Sequence, residues 1–249
     1  MTSSRPEVMW GLVAAHAAAQ ARRVSVADVC AVAASSAQAS GAWVTAAASG
    51  GPNFLMCVTD PVCEQLAELQ LMLGEGPCHD ALAAGAPVLV SDLGDEEWDR
   101  RWPGFTAEAR RLGALAVFTF PLIIGAIHAG VLGLYRSSPG LLPSARLGDS
   151  LILADAATML LLDGVRDGAG RSAGEAGMDG QPPGLALHRA EIDQATGMLT
   201  VQLGVSATEA FARLRAYAYV QDRRLADVAS DIVARRLRLH PDPVPDGEP

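Results

Sequence analysis

Four arginines near the end of the chain, Arg189, Arg215, Arg223 and Arg224, stand close to two tyrosines, Tyr217 and Tyr219. Arginine carries a planar, permanently charged fork that pairs with phosphates and stacks on flat groups. A tyrosine ring is a surface on which an unpaired base can lie. Together these residues supply what contact with a nucleic acid requires, cations for phosphates and planar groups for bases. The acids Asp193, Asp222, Asp227 and Asp231 are interspersed, so the same pattern also describes a solvated, salt-bridged helix surface. Arg235, Arg236 and Arg238 have a comparable double reading, as phosphate contacts or as cations meeting the macrodipole in the last turn of a helix.

A second set with chemical capacity lies earlier, at Cys78, His79, Trp98, Trp102 and His128. Cys78 follows a Gly-Pro break where a helix begins, and a helix N-terminus lowers a thiol pKa. The alternative is a buried structural cysteine. Trp98 and Trp102 close a ligand pocket or, equally, form a lid over a core. His128 falls in an expected hairpin and reads as a surface histidine.

Several chemistries are excluded. All 19 basic residues are arginine, which rules out a P-loop lysine, a Schiff-base lysine, a kinase strand lysine and the lysine of a phospho-acceptor receiver. There is no Ser/His/Asp layout, no metal-ligand spacing and no Gly-rich phosphate loop, so the chain is not expected to be an enzyme. The four cysteines, Cys30, Cys57, Cys63 and Cys78, lack CxxC spacing and read as separate buried apolar side chains. No apolar run reaches the roughly 18 residues that span a bilayer. Met1 to Arg5 lacks a signal-peptide layout, so a cytoplasmic location is expected.

Charge divides the chain. Residues 1–163 carry net −7 and residues 185–240 net +2, within an overall −9. Such a difference bears on partners rather than on fold. The stretch Gly164 to Gly184 is rich in Gly, Ala and charge without hydrophobic period and reads as a flexible linker. Residues 241–249 read as a disordered acidic tail. Two domains follow, about 1–163 and 185–240.

The elements that must position these residues follow from spacing. Ser25 with Asp28 signals a helix start. Gly41 to Ser49 and Phe54 to Thr59 read as strands joined through Gly50-Gly51-Pro52-Asn53. Helices are expected over Pro61 to Leu73 and Cys78 to Ala84, separated by Gly74-Glu75-Gly76-Pro77. Pro87 to Val90 reads as a buried strand, followed by an acidic loop holding both tryptophans. Ala114 to Ile124 and Ile127 to Arg136 read as antiparallel strands. A helix from Pro143 to Asp163 carries Leu147, Leu151, Ala154, Thr158 and Leu161 near coiled-coil spacing, suited to the sheet on one face and a partner chain on another. The last block reads as three helices, from His188, over Ser206 to Val220 and over Leu225 to Leu237. Ser206 and Glu209 form a capping box. Gly197, inside the first of these, costs about 1 kcal/mol relative to Ala, and close approach of another helix would explain it.

Two resemblances sharpen this reading. Glu68-Leu69-Gln70, Leu73-Gly74-Glu75-Gly76-Pro77-Cys78, Pro87 to Leu93, Arg101-Trp102-Pro103 and Phe120-Pro121-Leu122 resemble actinobacterial GAF domains over about residues 25–163. That resemblance implies an α+β sensor fold, an antiparallel sheet flanked by helices, and names no particular ligand or cofactor. The end of the chain resembles the ANTAR domain of transcription antitermination regulators through Ile192, Ala195, Gly197, Met198, Leu199, Ser206, Glu209-Ala210-Phe211, Leu214-Arg215, Ala218, Leu225, Asp227-Val228-Ala229 and Ile232-Val233. Many members carry Lys where this chain has Thr196, so the expected RNA face lacks one charge here.

The resemblance implies a regulator that binds paired RNA stem-loops in leader transcripts. Arg189, Thr196, Arg215, Tyr217, Arg223 and Arg224 are the expected contacts. A net charge near +2 predicts modest affinity per module, so two modules in a homodimer are expected to act together. A small-molecule ligand is expected at the sensor domain near Cys78, His79, Trp98 and Trp102. The competing reading is a dimeric scaffold that binds a protein partner without RNA. A methionine sulfoxide reductase of GAF type would need a reactive cysteine set that these spacings lack.

Overall fold

The computed structural model describes residues 4–46, 54–168 and 183–240. The expected 50–53 connection and the 241–249 tail lie outside these residues, as does most of the expected linker. The chain forms two compact units, Met1–Ala186 and Leu187–Pro249. No described helix is long and apolar enough to cross a membrane.

The first unit runs in chain order through α1 (Arg5–Ala19), α2 (Val26–Ala37), β1 (Gly41–Ala46), β2 (Phe54–Val58), α3 (Pro61–Leu73), α4 (Pro77–Ala84), β3 (Val88–Val90), α5 (Glu96–Arg101), α6 (Pro103–Arg111), β4 (Ala116–Ile124), β5 (Ile127–Arg136) and α7 (Ser144–Gly168). The strands form one antiparallel sheet in the order β2-β1-β5-β4-β3. Strand side chains alternate between faces, and this alternation builds two cores. Ala42, Val44, Phe118, Phe120, Leu132 and Leu134 pack with α1, α2 and α7. Trp43, Val117, Val131 and Tyr135 pack with residues of α3, α4 and α6. Gly133 is required at the centre, because a Cβ there would stand 2.2 Å from the Trp43 ring.

Ion pairs on buried carboxylates fasten α1 to the helical layer. Asp28 caps α2 through Ser25 and also accepts from His16 Nδ1 at 2.8 Å and Arg22 at 2.6 Å. Arg5 grips Asp149 of α7 with two hydrogen bonds of 2.5 Å.

Three expectations for this unit change. The stretch around the tryptophans is two helices, α5 and α6, rather than a loop. Acids in the first turn of α5 and arginines in its last turn suit the helix dipole, and Pro103 opens α6. Their shortness hid any apolar period. The β3 strand is a sheet edge with Leu89 exposed rather than a buried strand. Cys30 and Cys57 are not separate side chains but form a disulfide. Their 27-residue separation gave no hint of pairing, which arises because α2 lies over the edge of the sheet.

The second unit holds the rest of α8 (Pro183–Leu203), then α9 (Ala207–Val220) and α10 (Leu225–Val233). Ile192, Ala195 and Leu199, then Ala210, Leu214 and Ala218, then Leu225, Val228, Ala229 and Ile232 are among its buried side chains. Their three-and-four spacing puts one apolar stripe on each helix. Ser206 accepts from the Glu209 amide and caps α9. Helix α10 ends at Val233, short of the expected Leu237, because Arg235 turns left-handed with φ 58°. Amides of Arg236 and Leu237 then bond the Asp231 carbonyl. Gly197 is not a point of close approach, since a Cβ there would meet nothing within 4 Å. It lies two residues from both Ala195 and Leu199, about 200° around the helix from that buried stripe.

Candidate nucleic-acid interface

On α9, Phe211, Arg215 and Tyr219 follow at intervals of four and so share one face. Arg215 is half-buried. Its guanidinium carbon stands 5.6 Å from the centroid of the Phe211 ring, within cation–π range. Its Nε is sealed from solvent and has no hydrogen-bond partner. Among the described residues no carboxylate pairs with it. Burial lowers its pKa, yet an arginine remains charged at any physiological pH. Tyr219, four residues on, is 58% exposed.

The other expected contacts have different surroundings. Arg223 pairs with Asp231 at 2.6 Å, and Arg236 holds the same carboxylate at 2.7 Å. The Asp231 hydrogen bond raises the Arg223 pKa, burial opposes it, and the charges of Asp231, Asp227 and Tyr217 add to the rise. Tyr217, two residues from Arg215, lies about 200° around α9 from it. Arg189 lies 3.9 Å from Asp193, one turn along α8. Arg224 occupies the N-cap of α10. The Thr196 hydroxyl donates to the Ile192 carbonyl at 2.7 Å, so its proton is taken up within the helix.

The four candidates of the first unit converge on one junction, but each has a structural duty there. Gly74 ends α3 in the left-handed region with φ 72°, and Gly76 has φ 123°. Glu75 between them sends one carboxylate oxygen to the amides of Gly104 and Phe105, at 2.7 and 2.9 Å, capping α6. Gln70 accepts from the Cys78 amide at 2.8 Å, and its carbonyl lies 2.9 Å from His79 Nε2. Asp80 accepts from Arg101 at 2.5 Å and from the Trp102 indole at 3.1 Å. Trp98 stacks on Trp102 with centroids 5.0 Å apart, and Trp102 meets Phe105 edge-on. Burial pushes the Cys78 thiol up to about 12, outweighing Gln70 and Trp43. The helix start does not activate it, and at neutral pH it is a protonated, buried side chain.

Comparison with known proteins decides what the helical unit is. Residues 186–233 match the ANTAR domain. The C-terminal unit is an ANTAR domain. The first unit has the GAF fold. It is similar to the GAF domain of a phosphoenolpyruvate-protein phosphotransferase from Coxiella burnetii, at 15% identity and TM-score 0.51, over 67% of this chain and 99% of that one. The corresponding domain from Acinetobacter has 14% identity and TM-score 0.49, over 68% of this chain and 99% of that one. No curated protein matches the chain. The architecture is therefore a GAF-fold unit followed by an ANTAR unit.

Within the ANTAR unit, the sequence offered both Tyr217 and Tyr219, and the expected contacts kept only Tyr217, whereas Tyr219 is the one that shares a face with Arg215. The four-residue interval from Arg215 was the available signal. In the GAF-fold unit, the Gly-Glu-Gly-Pro-Cys segment that carried the resemblance is a splice joining α3, α4 and α6.

Proposed function

We propose that the chain is a signal-responsive regulator of transcription antitermination, whose ANTAR unit binds paired stem-loops in nascent transcripts. The observation that carries this reading is a half-buried arginine, Arg215, that no carboxylate pairs with among the described residues and whose Nε has no hydrogen-bond partner, on a matched ANTAR domain. A cation in that state gains most from an anionic ligand. A phosphate, or the acceptor edge of a base, would supply the anionic partner that the guanidinium lacks. Tyr219 offers an unpaired base a stacking surface. Arg189, Thr196 and Arg224 extend the proposed contact surface, and Arg223 with Tyr217 forms its more neutralised part.

A unit of net charge near +2 binds modestly alone, so two units act together on two adjacent stem-loops. The chain is proposed to be a homodimer. Exposed apolar side chains on α1 and α7, namely Val8, Trp10, Leu12, Leu151 and Met159, support dimerisation through the GAF-fold unit. A ligand or other signal at that unit would bias the dimer geometry, and the bound RNA would favour an antiterminator over a terminator hairpin.

The test is binding of the purified chain to RNA carrying two adjacent short stem-loops, across a salt series. Arg215→Ala is expected to weaken binding by about 10- to 100-fold and to reduce the salt slope by about one. Arg223→Ala, which removes an already paired cation, is expected to do less. Absence of binding to any structured leader, with or without candidate ligands, would favour the protein scaffold instead.

A further inference from the structure

We propose that the Cys30–Cys57 pair is a redox element, through which the GAF-fold unit responds to low-molecular-weight disulfides. Of the four cysteines, only these two meet; Cys63 and Cys78 are free and buried. The bond is a direct crosslink between α2 and β2, whose cysteines are 27 residues apart in the chain. Cys57 sits on β2, which is an edge of the sheet among the described residues and pairs with β1. Cys30 sits on α2, whose Val29, Val32, Ala33 and Ala37 pack in one core with Leu153, Ala154, Ala156 and Ala157 of α7. A change at the pair is thus one helix away from α7, the last element of the unit before the ANTAR domain.

The chemistry balances as thiol–disulfide exchange. In the reduced protein, the Cys57 thiolate attacks a low-molecular-weight disulfide, forming a mixed disulfide and releasing one small thiol. The Cys30 thiolate then attacks the Cys57 sulfur and expels the second small thiol. Two protein thiols lose two protons and two electrons, and one small disulfide becomes two small thiols. Both sulfurs are buried, at 1% residue exposure, so a reagent reaches them only when β2 lifts from the edge. Oxidation then pins the strand to α2, and reduction restores its freedom to lift.

This inference does not rest on RNA binding, and its test uses none. The purified full chain is equilibrated with glutathione disulfide or with dithiothreitol, then denatured, alkylated and mapped by mass. The expected result is a Cys30–Cys57 link in the first case and two alkylated thiols in the second, with Cys63 and Cys78 alkylated in both. Amide exchange along β2 and the α7 segment facing α2 should be slower by about tenfold or more in the oxidised protein, as for a crosslink that suppresses local opening. Cys57→Ser and Cys30→Ala should each abolish the redox dependence. Failure of the link to form in the folded chain would overturn the proposal. So would a link that leaves exchange in α7 unchanged.

Discussion

Two clusters of aromatic and charged residues, one in each unit, have similar composition and opposite states of satisfaction. Around Trp102, the GAF-fold unit brings together an indole, a carboxylate and an arginine, and each is bonded to another. Around Arg215, the ANTAR unit brings together a guanidinium and two aromatic residues and leaves the guanidinium nitrogen unbonded. A buried polar group without a partner carries a free-energy penalty in the folded state. Single atoms without a partner also occur in the GAF-fold unit, at Trp43 Nε1, Thr45 Oγ1 and Arg136 Nε, but Arg136 bonds the Leu141 and Ala37 carbonyls through its other nitrogens, and Arg215 has no such bond among the described residues. On this contrast we propose that the α9 face is a binding surface, whereas the bonds of the tryptophan junction are accounted for by the fold.

The largest expected effect tests the first half of that contrast. Trp102→Ala removes a side chain that is 2% exposed, and should destabilise the GAF-fold unit by about 3–5 kcal/mol. Urea denaturation followed by tryptophan fluorescence would measure it, and a loss below about 1 kcal/mol would mean that the indole is no core residue. Glu75→Gln should lower stability by about 1–2 kcal/mol by weakening the cap on α6, with chemical denaturation as the readout.

Acid titration should separate the units too. Burial pushes the Asp28 carboxyl up, but hydrogen bonds from His16 and Ser25 and the charge of Arg22 outweigh it and hold its pKa below the ordinary range. Asp231 is also held low, by hydrogen bonds from Arg223 and Arg236 against a smaller effect of burial. A depressed carboxylate contributes stability above its unfolded pKa of about 3.9, and that stability is lost as pH falls through the lower folded value. The side chain of Asp28 is fully buried and that of Asp231 is 23% exposed, so solvent screens the second more. Asp28→Asn should therefore flatten the acid limb of the stability curve more than Asp231→Asn does, read as denaturation midpoints between about pH 5 and pH 2.

The smallest effect is the sharpest test of the second half. Arg215→Met keeps the apolar contact with Phe211 and removes an unpaired charge, so the ANTAR unit should be unchanged or up to about 1 kcal/mol more stable. RNA affinity should fall in the same variant. A stability loss of about 2 kcal/mol or more would show that Arg215 serves the fold and would remove the contrast.

Much of the molecule was legible where the controlling physics is local. The capping residues Ser25 and Ser206, the helix over Pro61–Leu73 and the β4–β5 pair all follow from neighbouring residues and from periods of two or 3.6. The apolar stripes of α8, α9 and α10 were legible for the same reason. Helices α5 and α6 were not, because each is too short to display a period and charge placement with Pro103 sets their limits. The junction residues were recognisable as a group, but whether they bind a ligand or one another depends on where α3, α4 and α6 meet.

Composition and spacing alone determined that the chain has a mixed sheet-and-helix unit and a small helical unit of opposite charge, and that several lysine-dependent chemistries are absent. Only the tertiary structure decided which charges are already spent. Arg215 and Arg223 are eight positions apart in sequence and look equivalent there. Packing of α10 against α9 brings Asp231 to Arg223 and leaves Arg215 without a carboxylate. The same holds for Cys30 and Cys57, whose meeting required α2 to lie over the edge strand. Electrostatic and covalent pairing depend on distances of a few ångströms between elements, and no local pattern encodes those distances.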